Sequence, residues 1–161
     1  MHSFRAGVAW ADDAGTVSFP SYTRDHDVTF ENKPPIPGTS DPGFRGDPLR
    51  YSPEELLVAA LAQCHMLWFL HLATRAGVVV VRYDDLAKGH MRVRAAGHGQ
   101  FSDVTLRPVV ALGRGTDAEG VAVTDAFLAT IHDSAAQHCF LNRSVNFPVR
   151  VDPAPVQLPA G

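Results

Sequence analysis

The chain has 161 residues, enough for one domain that buries about two thirds of the surface its unfolded form exposes. With 45% hydrophobic and 19% charged residues it has an ordinary globular composition, and a formal net charge of −3 without a basic cluster argues against nucleic acid as a partner. No unbroken apolar run reaches the roughly 18 residues of a membrane span, because Gln63, His65 and His71 interrupt the stretch from Leu56 to Ala73.

AGVAW, TVSF and DVTF carry the β-branched and aromatic residues of short strands, with ADDAG as a turn between the first two. From Glu31 to Tyr51 the chain is rich in Pro and Gly, which predicts an irregular loop anchored by Ile36, Phe44, Leu49 and Tyr51. Ser52 then opens a helix. Ser at the N-cap, Pro53 at the first helical position and Glu55 three residues after the cap form a capping box, and Gly77 closes the element.

VVVVRYDDLAKGHMRVRAA predicts a strand, a turn near Asp84 to Gly89 and a second strand, and FSDVTLRPVVAL predicts a third. Residues 117–138 are expected to be helical, with Val121, Phe127, Leu128, Ile131 and Ala135 as the apolar stripe and Cys139 at the end. FPVRV is the last strand, and the Pro-rich tail 152–161 is expected to be loosely held. Strands, helix, strands, helix, strand is the order of an α+β fold with a largely antiparallel sheet, here read as a single domain over 1–161. The first helix is apolar almost all round, more than one small sheet can cover, which predicts a dimer that packs these helices together.

The chemistry centres on the two cysteines, 75 positions apart. The N-terminal MHSFRAGVAWADD lacks the apolar core of a secretory signal, so a cytoplasmic protein is expected. In a reducing compartment two cysteines suit catalysis, metal binding or packing better than a permanent staple. On the first helix Cys64 shares a face with Leu57, Ala60, Leu61, Leu67, Trp68 and His71, so it could be a small buried hydrophobe. Cys64-His65 and His138-Cys139 give a zinc-like ligand count, but adjacent helical residues point about 100° apart and do not chelate one ion easily. A thiol peroxidase needs a nucleophilic thiolate, a cation beside it and a second thiol to resolve the sulfenic acid. Arg24, Arg45, Arg50 and Arg143 are the candidate cations. His65, His71 and His138 read as core or surface residues rather than bases.

The pattern SPEELLVAALAQCHM, with a second cysteine in AAQHCFLNRSVNF, resembles the OsmC/Ohr family of organic hydroperoxide reductases from about Asp27 to Val151. The resemblance implies an intertwined homodimer with shared active sites, Cys64 as peroxidatic and Cys139 as resolving cysteine, and Glu54, ten residues before Cys64, as the motif glutamate. It also implies an organic hydroperoxide as substrate, an external dithiol as reductant, a role in oxidative-stress defence, and no cofactor or metal. The family's catalytic arginine stands at different positions in different branches. Arg45, 19 residues before Cys64 in the loop entering the helix, is favoured, with Arg24, 40 residues before it, as the alternative. Ten helical residues span about 15 Å, so a Glu54 that serves a cysteine must serve that of a second subunit. The rival class is a non-enzymatic dimeric scaffold or ligand-binding protein with inert cysteines. A general disulfide reductase is disfavoured because no Cys-x-x-Cys pair occurs.

Overall fold

The computed structural model describes residues 1–94 and 97–159; the end of the second predicted central strand, Ala95 and Ala96, and the last two residues of the tail lie outside them. The chain divides into two compact units, Met1–Leu57 and Val58–Gly161.

The first unit is an antiparallel sheet of β1 (Gly7–Ala9), β2 (His26–Phe30) and β3 (Lys33–Gly38), in that order. Val8 faces Val28 and Val28 faces Ile36, so β-branched residues stand opposite one another along the sheet. TVSF is not a strand. Ser18 and Ser21 close a turn on themselves, with Ser21 N donating to Ser18 O at 3.0 Å and Ser18 N to Ser21 Oγ at 3.0 Å, the local bonding by which serine competes with a ladder. The Pro-rich segment, expected to be irregular, supplies β3 instead. Proline lacks a donor but keeps its acceptor, and Pro37 O takes the Tyr51 N–H at 3.0 Å. A 3-10 turn follows at Pro42–Phe44, capped by Asp41, whose carboxylate accepts from Gly43 N at 2.7 Å.

The helix α1 (Pro53–Arg75) begins in the first unit and continues into the second. Its capping box is reciprocal as expected: Ser52 N donates to Glu55 Oε2 at 2.8 Å and Glu55 N to Ser52 Oγ at 3.2 Å. Gly77 ends it at φ +68°, with Val78 N returning to Ala73 O at 2.9 Å. The buried residues Leu61, His65, Phe69 and Ala73 recur every fourth position and so form one stripe. By length and composition α1 is apolar enough to cross a membrane, although its interruptions argue against a span on the sequence.

The second unit holds two further sheets. In one, β4 (Val80–Asp85) pairs antiparallel with β7 (Pro108–Leu112); in the other, β6 (Gly99–Leu106) lies between β5 (Lys88–Val93) and β8 (Val149–Val151). The β5–β6 pairing is antiparallel and the β6–β8 pairing parallel. Thus β4 and β5, adjacent in sequence, belong to different sheets. The expected third strand is two, split at Arg107, whose N–H donates to Asp85 Oδ1 at 2.7 Å.

The second helix, α2 (Asp125–His138), starts later than expected because Thr124 caps it, accepting from Phe127 N at 3.2 Å. Asp117 turns the preceding segment by accepting from Glu119 N and Val121 N. Val121 is therefore exposed rather than part of the stripe. Leu128, Ile131 and Ala135 pack with Phe69, Ala73, Val78, Val110, Leu112 and Val123 into one core cluster. Burying the Phe69 ring alone contributes about 1.5–3 kcal/mol. The tail is not loose over residues 152–157. Ala154 N donates to Pro108 O, Gln157 N to Val110 O and Val156 N to the Asp125 carboxylate, which seats Val156 against the core.

Candidate functional site

Cys64 and Cys139 meet. Cys64 stands midway along α1, and Cys139 is the C-cap of α2, where its N–H still bonds Ala135 O. Both are free thiols, and Cys139 Sγ donates to Cys64 Sγ at 2.8 Å. The two sulfurs are in contact yet well beyond the roughly 2.05 Å of a disulfide bond. The environments differ. Cys64 is half-buried, while Cys139 is 1% exposed. Burial, reinforced by the hydrogen bond to Cys64, pushes the Cys139 thiol up to about 11 despite a bond from Asn142 N at 3.4 Å. Cys139 is thus held as a protonated donor, and the more accessible Cys64 is its acceptor.

Aromatic rings stand beside the thiols. Trp68, one turn beyond Cys64, packs edge-on against Phe140 at 5.6 Å and His71 at 5.8 Å, with His138 at 5.1 Å. His138 spends its Nδ1 on Ser134 O at 2.7 Å, and both His71 and His138 are exposed. Leu61 is fully buried on the stripe. His65 differs. It lies in the core, its Nε2 3.0 Å from Nδ1 of His132, and burial pushes both imidazoles down to about 4. The sequence reading did not single out His132, although it falls four residues after Leu128 and three before Ala135, on the stripe itself. Among the described residues no cluster of three or more His, Cys, Asp or Glu could hold a metal ion.

The arginine and glutamate candidates belong to the first unit. Arg24 and Glu54 line one cavity of about 460 Å³, together with the apolar Val8, Trp10, Tyr22 and Phe44. The Arg24 guanidinium lies over the Tyr22 ring at 3.9 Å and the Phe19 ring at 4.6 Å, and donates to the carbonyls of Tyr22 and Phe19. The neighbouring carboxylates of Asp25 and Asp27 pair with Arg50, at 3.8 and 3.3 Å, and not with Arg24. Glu54 Oε2 is buried with no hydrogen-bond partner among the described residues. Arg45, the favoured arginine, is an exposed cap at φ +72° and does not line this cavity, although its neighbour Phe44 does.

Solved structures share this fold. A structure described as an OsmC-like protein of unknown function from Vibrio cholerae is 28% identical and aligns over 96% of this chain and 100% of its own, with a TM-score of 0.85. An organic hydroperoxide resistance protein OsmC from Legionella pneumophila shares the fold at 11% identity, 99% and 98% coverage and a TM-score of 0.68. One from Elizabethkingia anophelis shares it at 14% identity, 100% and 98% coverage and a TM-score of 0.65. No curated protein matches. The family model described as OsmC-like protein matches residues 46–154, more than half of the chain, including both cysteines and Glu54, and the protein therefore belongs to the OsmC-like family.

Proposed function

We propose that this protein is a two-cysteine thiol peroxidase that reduces organic hydroperoxides to alcohols in the cytoplasm, as an oxidative-stress defence. The observation that carries this reading is the 2.8 Å contact between an accessible Cys64 and a buried, protonated Cys139. The Cys64 thiolate attacks the hydroperoxide oxygen distal to carbon, forming the S–O bond as the O–O bond breaks. The alkoxide takes up a proton and leaves as the alcohol. Cys139 then attacks the Cys64 sulfenic acid, the S–S bond forms, and the departing hydroxide takes the Cys139 proton and leaves as water. An external dithiol returns two electrons by thiol–disulfide exchange. Trp68 and Phe140 give an apolar approach that favours organic hydroperoxides over hydrogen peroxide.

Arg24 and Glu54 are the proposed partners of the reacting thiol. Their common cavity and the Glu54 oxygen left without a partner among the described residues support this choice over Arg45. About 15 Å of helix separates positions 54 and 64 along one chain, so the pair acts on the cysteine of a second copy in an intertwined homodimer. The exposed apolar residues Phe4, Val8, Val17 and Phe19 support such an assembly.

Intact mass after one equivalent of cumene hydroperoxide tests the cycle. Loss of two hydrogens, with a peptide joining Cys64 to Cys139, is the expected result, reached more slowly with hydrogen peroxide. An unchanged mass with both thiols reduced would leave the inert-cysteine scaffold as the reading.

A further inference from the structure

His65 and His132 are polar groups in a core cluster otherwise built of Phe69, Leu128, Ile131 and Ala135. They expose 1% and 3% of their surface, their rings are parallel within 5°, and the Phe69 ring lies over His132 at 4.1 Å. Their mutual hydrogen bond is the one side-chain bond that either makes among the described residues. One ring must donate and the other accept, so the bond exists only between neutral imidazoles or with a single shared proton. Placing two such rings in an apolar core is expensive, and a pair of well-packed apolar side chains of similar volume would be as stable or more so. A pair held at that cost is explained by what it specifies.

Its position indicates what that is. His65 directly follows Cys64 on α1. His132 lies seven residues before Cys139, two turns along the same face of α2. Apolar side chains between two helices tolerate sliding and repacking, whereas a hydrogen bond near 3 Å does not. A slide of one residue, about 1.5 Å, would break the imidazole bond and carry the sulfurs out of contact together.

We infer that the His65–His132 hydrogen bond is a register pin: it fixes α1 against α2 so that Cys64 and Cys139 stay in contact in the reduced protein. Both residues are positioning residues and neither touches the reacting atoms. The inference rests on the two-cysteine reading only in requiring that the thiols pair, and its test uses no peroxide.

The test compares the parent with a double variant, His65→Leu with His132→Leu, and a second double variant, His65→Gln with His132→Asn, which restores a donor and an acceptor at the two ring positions. Each is equilibrated with reduced and oxidised glutathione, and the effective concentration of the thiol pair is read from the disulfide fraction, with the thermal midpoint measured in parallel. The leucine variant is expected to melt at or above the parent temperature while its effective concentration falls at least about tenfold, a rise in potential of about 30 mV. The Gln/Asn variant is expected to regain most of the loss. Parental thiol pairing in the leucine variant would overturn the inference, and so would a Gln/Asn variant no better than the leucine one. Should the leucine variant fail to fold, nitrogen-resolved histidine spectra of the parent decide: a protected N–H shared between the two rings supports the pin, and its absence overturns it. A protein whose thiols pair with glutathione but ignore hydroperoxide would remove the peroxidase reading and leave this one standing.

Discussion

Cys139 points its S–H at Cys64 from a pocket that leaves it almost no contact with solvent, so two chemically equal residues are made unequal by their surroundings. The inequality predicts asymmetric variants. Cys64→Ser should abolish hydroperoxide consumption. Cys139→Ser should consume about one equivalent and stop, leaving a Cys64 sulfenic acid that dimedone traps and excess oxidant drives to sulfinic acid. Equal behaviour of the two variants in a dimedone-labelling assay would contradict the assigned roles.

Arg24 and Arg45 can be separated by conservative replacement. Lysine keeps the charge of Arg24 but loses the planar fork stacked on Tyr22 and bonded to two carbonyls. Arg24→Lys should lower kcat/KM by about tenfold or more, in line with the loss of a fixed guanidinium geometry. Arg45→Ala should leave turnover within about twofold, because Arg45 is an exposed turn cap outside the cavity. Steady-state rates with cumene hydroperoxide decide between them.

The buried histidines make the fold acid-sensitive above the carboxylate range. Their folded values lie near 4 against about 6.5 when unfolded, so between these pH values the unfolded chain binds more protons. Stability is complete above about pH 6.5, falls as the pH drops toward 4, and falls no further through these groups below that. The loss is on the order of 3 kcal/mol per ring at most. Urea denaturation at pH 7, 5.5 and 4.5 should show the midpoint falling steadily, and a flat midpoint across that interval would contradict the neutral pair.

Tyr83 offers a stabilising substitution. Its hydroxyl is buried without a partner among the described residues, and burial together with the Asp85 charge pushes its ionisation well above the usual value. Asp85 is raised in turn, chiefly by its own burial. Tyr83→Phe keeps the ring against Phe69, 5.6 Å away, and removes an unsatisfied polar atom. It should raise stability by about 1 kcal/mol, seen as a higher thermal midpoint.

The helix cap is a local device and should behave as one. Ser52→Ala removes the oxygen that accepts from Glu55 N and should cost about 1 kcal/mol without altering the thiol chemistry.

What could be read without coordinates is what depends on near neighbours in sequence. The bounds of α1 follow from Ser52, Pro53, Glu55 and Gly77, each acting within one turn, and the structure realises all four. The pairing of strands depends on distant partners, so the placement of β4 and β5 in different sheets was not legible. Prolines disguised β3, which pairs with β2 although three of its six residues lack an N–H donor. The start of α2 was not legible, because the Asp117 turn and the Thr124 cap lie inside a stretch of acceptable helix formers. At the site, the cysteine pair was legible from the family pattern. The cavity joining Arg24 to Glu54 was not, because the 29 residues between them must fold to bring them together. His132 was hidden by its type: a polar residue on an apolar stripe reads as an interruption until its partner is seen.

The two tryptophans fall one to each unit. Trp10 belongs to the first, with its indole N–H on Thr23 O at 2.8 Å, and Trp68 to the second, packed against the residues that flank Cys139. Emission from Trp68 should therefore change when the sulfur at Cys64, one helical turn away, changes its oxidation state, while Trp10 should follow the sheet in which it sits. If the thiols cycle as proposed, a Trp10→Phe variant would leave Trp68 as the sole tryptophan reporter, and the change could be followed without a label.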